Sequence, residues 1–162
     1  MATQSPLAVG ERAPEFALHA TPDQQVALSA FFGRPIVLVF YPADWSPVCG
    51  DQLALYNELQ DEWRRYRAQL LAISVDSPWS HVAFATERHL HIPLLSDFEP
   101  KGDVAKRYRV YDSVTGVAER ALFVIAPDAT IAWTYVSPAG VNPGADGILD
   151  ALESVTKGHA RA

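Results

Sequence analysis

A single cysteine, Cys49, stands in the 162-residue chain. An intramolecular disulfide is thereby excluded, so the thiol either packs as a small apolar side chain or reacts with something outside its own chain. Long hydrophobic runs are missing too: the longest aliphatic one, Ile36 to Phe40, is far too short to cross a bilayer and suits a buried strand. Met1 to Pro14 hold no extended apolar stretch, which argues against a secretory leader and for a cytoplasmic protein without a membrane partner. Basic residues are in deficit, 13 Lys and Arg against 19 Asp and Glu for a net charge of -6. Nucleic acid is therefore not an expected partner, because phosphate binding needs clustered cations. The one dense basic cluster, Arg64, Arg65 and Arg67, adjoins Asp61 and Glu62 and reads as a solvated helix face. Internal repeats, low-complexity stretches and interdomain linkers are absent, and one domain is expected over residues 1–162.

What is present is an ordinary globular composition, 49% hydrophobic and 20% charged. Phe16 to Ala20 and Gln25 to Leu28 flank Thr21-Pro22-Asp23-Gln24 and read as a hairpin. Ser29 to Gly33 forms a short helical turn, and Ile36 to Phe40, continuously apolar, a central strand buried on both faces. From Pro47 the period becomes helical, with Gln52, Tyr56, Leu59, Trp63 and Tyr66 on one stripe and Cys49 at its head. Gln69 to Val75 is a second buried strand. Asp76-Ser77-Pro78 opens a helix running from about Trp79 to Arg88, with Val82 and Phe84 among its apolar positions. Ile92 to Leu95 is extended, Asp97 to Gly102 a loop, and Asp103 to Tyr108 a short helix. Arg120 to Ala126 and Thr130 to Val136 form a hairpin around Pro127-Asp128-Ala129, and Pro138 to Gly147 is a loop. The helix Gly147 to Lys157 closes the chain, with Ile148, Leu149, Leu152 and Val155 on its apolar face. Strands alternating with helices predict an α/β fold, a central mixed sheet flanked by helices with an N-terminal β-hairpin, in the thioredoxin-like order. A site is expected beyond the end of a central strand, where the next helix starts.

Tyr41 to Gln52 occupies that place. A helix N-terminus favours negative charge, and a thiol there is a candidate nucleophile. Pro42 would turn the chain and Ser46 would cap the helix. His89 and His91 with Glu87 lack a further His or Cys, so no metal site is read there. His19 and His81 have no motif placing them beside Cys49, and Trp45, Trp79 and Trp133 are core residues by default.

Pro42, Ser46 and Cys49 make Pro-x-x-x-Ser-x-x-Cys, and in this the chain resembles the peroxiredoxins, whose signature is Pro-x-x-x-Thr/Ser-x-x-Cys. Gly10 to Leu18, Ala72 to Ser77, Pro93 to Asp97 and Arg120 to Ile125 continue the resemblance along nearly the whole chain. It implies a thioredoxin-like fold, no cofactor, and a thiol-dependent peroxidase in which Cys49 attacks a hydroperoxide and becomes a sulfenic acid. Ser46 would donate to the peroxide, Pro42 would shield the thiolate, and Arg120, a surface residue on spacing alone, would lie against both thiolate and peroxide. Gln52 stands where many relatives carry Glu and would still hydrogen-bond the arginine. Arg109, in Tyr108-Arg109-Val110, stands where glycine is common.

The second thiol that some relatives carry five residues further along the helix is replaced by Ala54. The resemblance is therefore to the one-cysteine type, such as the bacterioferritin-comigratory and AhpE-like branches. The sulfenic acid would be resolved by an external thiol, either a low-molecular-weight thiol or a thioredoxin- or glutaredoxin-like protein. Pairing into a homodimer through the loops near Trp45, Trp79 and Asp112 to Glu119 is a further expectation. Two alternatives of other classes stay open: a thiol-disulfide oxidoreductase, which the absence of Cys-x-x-Cys disfavours, and a redox-sensing holdase.

Overall fold

The computed structural model describes residues 5–160; Met1 to Gln4, the start of the Met1 to Pro14 stretch that argues against a leader, and residues 161–162 lie outside the described part. Strands β1 (Ala17–Thr21) and β2 (Gln24–Ala27) form the first hairpin, followed by a 3-10 turn over Leu28–Phe31. Next come β3 (Ile36–Phe40), α1 (Pro47–Glu58), α2 (Gln60–Arg65), β4 (Gln69–Ser74), α3 (Pro78–Arg88) and β5 (Leu94–Ser96). Then follow α4 (Asp103–Arg107), β6 (Tyr111–Asp112), β7 (Val117–Ala118), β8 (Arg120–Ile125), β9 (Ile131–Ser137) and α5 (Asp146–Ala160). Seven strands make one mixed sheet in the order β2-β1-β5-β4-β3-β8-β9, while β6 and β7 pair separately. Among the described residues no helix is long and apolar enough to cross a membrane.

The centre of the sheet explains why β3 carries no polar residue. Ile36, Leu38 and Phe40 point to one face, against Tyr108 of the segment after α4, Phe123 of β8 and the N-terminal Phe16. Val37 and Val39 point to the other, where Leu53 and Tyr56 of α1, Phe84 of α3 and Ile148 and Leu152 of α5 cover them. Every residue of β3 is fully buried, so the strand needs apolar side chains at both parities. β3 runs parallel to β4 and antiparallel to β8, with Phe40 opposite Ala121.

Three expectations are corrected. The helical stripe from Gln52 to Tyr66 is two helices: Leu59, with φ -96 and ψ 25, breaks the backbone while both halves keep their apolar residues inward. Val82, Trp45 and Trp79 are not core; they are 39%, 51% and 72% exposed, on the outer side of α3 and on the loop facing it. The stretch Asp112 to Glu119 contains β6 and β7 rather than loop alone. Other readings hold: the arginine cluster is a solvated face in which Arg64 pairs with Asp61 and Arg65 with Glu62. Ser77 caps α3 through its side chain, which accepts from the Ser80 N–H.

Candidate active site

The corner where β3 gives way to α1 carries the thiol. Pro47 takes the first helical position, where its missing N–H is no loss, and Cys49 lies in the first turn behind it. The free backbone donors and dipole of that turn favour negative charge on the sulfur. Ser46 is the N-cap by backbone geometry, its carbonyl accepting from Gly50 N–H at 2.9 Å, but its side chain makes no capping hydrogen bond. That hydroxyl stays available for another partner.

Arg120 arrives from β8. Because Phe40 pairs with Ala121, the residue before Ala121 falls level with the chain leaving β3, which brings Arg120 to Cys49 across 71 positions. The guanidinium is only 1% exposed. Its Nη1 donates to Cys49 Sγ at 3.3 Å and to Gln52 Oε1 at 2.8 Å, while Nε and Nη2 donate to the Ala139 carbonyl at 3.0 and 2.6 Å. The arrangement sets a buried cation with an N–H donor directly against the sulfur. Gln52 is fixed in turn: its Nε2 donates to Tyr56 Oη at 3.2 Å, and Tyr56 Oη donates to the Gly144 carbonyl at 2.7 Å. Burial pushes the Tyr56 phenol up to about 12, so it keeps its proton at neutral pH. Cys49, Gln52 and Arg120 thus meet directly. Pro42 and Ser46 share the loop, and Pro42 and Arg120 share the wall of a cavity of about 530 Å³.

A second polar cluster braces the loop and was not foreseen. Asp44, its side chain fully buried, accepts from Tyr41 Oη at 2.6 Å and from Ser80 Oγ at 2.8 Å, and faces His81 Nδ1 at 2.8 Å. His81 Nε2 faces the Leu95 carbonyl at 3.0 Å, so both ring nitrogens meet oxygen acceptors. Asp76 ties in through the Asp44 backbone N–H, at 2.8 Å, and Ser74 Oγ, at 2.6 Å. Burial, reinforced by the Asp44 charge, holds the Tyr41 phenol well above its ordinary range. Asp44, Asp76 and His81 are close enough to suggest a metal set, but their ligand atoms are already committed to these hydrogen bonds. His81 does not touch Cys49; it holds the loop that precedes it. The only hint in the sequence was three polar residues placed just after apolar strands or inside a helix start. Trp45, at φ 70, turns its ring edge-on to Phe84 at 5.1 Å.

Comparison with known proteins places the chain in a family. The AhpC/TSA family model matches residues 9–134. Alkyl hydroperoxide reductase E of Mycobacterium tuberculosis is 33% identical over 135 residues, covering 83% of this chain and 88% of that protein. The chloroplastic 2-Cys peroxiredoxin of Hordeum vulgare is 32% identical over 158 residues, covering 91% of this chain and 74% of that one. Among solved structures, peroxidoxin BcpB of Mycobacterium tuberculosis superposes with a TM-score of 0.82 at 29% identity, over 91% of this chain and 97% of that one. The thioredoxin-like architecture expected from the element order therefore holds through the whole sheet. Family model, named relatives and solved fold agree over most of the chain, which belongs to the AhpC/TSA family, the peroxiredoxins.

Proposed function

We propose that the chain is a one-cysteine thiol peroxidase in which Cys49, Arg120, Ser46 and Pro42 form the catalytic set and Gln52 holds Arg120 in place. The thiolate of Cys49 attacks the terminal peroxide oxygen. An S–O bond forms, the O–O bond breaks, the sulfur gives up two electrons, and the alkoxide or hydroxide that leaves takes a proton to become an alcohol or water. The observation that carries this reading is the hydrogen bond from buried Arg120 Nη1 to Cys49 Sγ. The same guanidinium can stabilise charge on the departing oxygen, and the uncommitted Ser46 hydroxyl can donate to the peroxide. Pro42 lines the cavity that Arg120 also borders, which supports its role in limiting water at the sulfur.

Reduction requires an outside thiol, since the chain has one cysteine and Ala54 stands on the same helix where a partner could have been. That thiol attacks the sulfenic sulfur, water leaves, and a second thiol releases the mixed disulfide. A second copy of the chain is the proposed partner for the exposed Trp45, Trp79 and Val82. Stopped-flow mixing with hydrogen peroxide tests the chemistry. Cys49 is expected to oxidise orders of magnitude faster than a free thiol at the same pH, with one sulfenic acid per chain by mass spectrometry. A rate equal to that of a free thiol, or consumption that survives Cys49→Ser, would refute it.

A further inference from the structure

The 530 Å³ cavity beside Arg120 is far larger than hydrogen peroxide needs and falls in the range of small-molecule sites. Its walls are mostly apolar, with Pro42, Val117 of β7, Val136 of β9 and Pro138 among the lining residues. Two carboxylates, Asp112 and Glu119, line the same cavity, and Arg120 is the one cation that does so. The Arg120 charge is already committed, because Nη1 faces Cys49, whose reactive form is an anion. Counting thiolate and guanidinium as a neutral pair leaves the two carboxylates as the net charge of the cavity. Neither forms an ion pair among the described residues. Asp112 is held ionised by the N–H groups of Val114 and Thr115, at 2.9 and 3.4 Å. Burial, then the Asp112 charge, pushes the Glu119 carboxyl upward, so the two carboxylates lie close enough to repel.

We propose that this cavity selects the substrate by charge as well as by shape: it takes the organic part of neutral alkyl or aryl hydroperoxides and repels peroxides whose organic part is anionic, with Asp112 and Glu119 as the specificity-determining residues. This rests on the reading of Cys49 as the peroxide-attacking thiol. Like charges at the entrance of a site act on the encounter rate and are screened by salt, whereas a steric barrier is not.

The test uses the full chain and two probes with the same O–O bond, cumene hydroperoxide and its para-carboxylate, with hydrogen peroxide as a third. Second-order constants for Cys49 oxidation are read by stopped flow at low and high ionic strength. The neutral probe is expected to react about tenfold faster than the carboxylate at low salt, and the ratio to shrink as salt is raised. Glu119→Gln with Asp112→Asn, which keeps the capping acceptor at position 112, should bring the ratio toward one. Equal constants for the two probes, or a ratio indifferent both to salt and to the substitutions, would overturn the proposal while leaving the peroxidase reading intact. A ratio that collapses when the chain is concentrated enough to pair would assign the cavity to a second copy and overturn it as well. Failure of all three peroxides to outpace a free thiol would refute the underlying reading itself.

Discussion

Replacing Arg120 by Met separates two roles that a buried arginine can have. The side chain makes four hydrogen bonds: to the sulfur at 3.3 Å, to Gln52 at 2.8 Å, and to the Ala139 carbonyl twice. On stability the effects oppose one another. Gln52 Oε1 is left buried without its donor, at about 1–3 kcal/mol, whereas the exposed Ala139 carbonyl can turn to water. Removing a desolvated charge gives part of that back. The net cost is thus at most about 3 kcal/mol, a fall in Tm of about 6–12 °C for a chain of this length. On rate there is no such offset. Losing one preorganised donor at a developing oxyanion costs about 2.7–4 kcal/mol, or 10²–10³-fold. The expected outcome is a folded Arg120→Met protein whose Cys49 reacts with hydrogen peroxide about 10²–10³ times more slowly by stopped flow. Repeating the measurement at a pH where the thiol is ionised in both proteins isolates the transition-state part, and most of the defect should remain. Arg120→Lys keeps a charge but not the planar fork that reaches Cys49, Gln52 and Ala139 together, so it should recover about tenfold at most. Oxidation of folded Arg120→Met within about threefold of the parent rate would refute the role given to Arg120.

Ser46→Ala should lower the oxidation rate by up to about tenfold, the worth of one neutral hydrogen bond, and leave Tm within about 1 °C, because the side chain caps nothing; Ser77→Ala, which does lose a cap, should cost about 1 kcal/mol in urea unfolding with no change in rate. His81→Ala leaves the buried Asp44 carboxylate with one partner fewer and the Leu95 carbonyl without its neighbour, and should destabilise the chain by about 1–3 kcal/mol in urea titration. Arg109 has φ 62, the left-handed conformation that follows the end of α4, so Arg109→Gly should raise stability by about 1 kcal/mol, seen as a Tm higher by about 2–4 °C.

Where the chain alternates cleanly between buried and exposed, or is buried throughout, the sequence was a good guide. β3 was legible residue by residue because a strand covered on both faces admits only apolar side chains, and α3 because Ser77 and Pro78 leave a start signal no other structure explains. β6 and β7 were not, since two-residue strands carry no period. The tryptophans misled because size alone does not say which side of an element a residue takes: Trp79 lies on the outward side of α3. Trp45 sits on a loop, where a φ of 70 rather than hydropathy decides which way the ring goes. In the site, Cys49 was marked by its helix start, but Arg120 was invisible to spacing and came from resemblance alone. Its position is fixed by strand register, Phe40 against Ala121, and register is a property of two segments that no single window contains. The Ala139 carbonyl left no signal at all, because a backbone acceptor has no residue type.

The two polar clusters divide the work around one short loop. On one side, Gly144, Tyr56 and Gln52 form a relay that ends on Arg120 and fixes the direction of a charge. On the other, Asp44, Asp76 and His81 fix the backbone from which Ser46 and Cys49 project. Burying so many polar groups stabilises the fold little, since desolvation opposes each contact. What it supplies is a donor, a cation and a sulfur that need not move when charge develops between them, which is the condition under which such contacts lower a barrier. The same burial sets the cost of completing the cycle: Cys49 has no exposed surface, so a protein thiol, far bulkier than a peroxide, can attack the sulfenic sulfur only if the residues covering it give way. Substitutions that weaken the Asp44 cluster should therefore slow the peroxide step while speeding reduction by a protein thiol, and single-turnover measurement of both half-reactions in Asp44→Asn would show opposite signs; a parallel loss in both would refute that division.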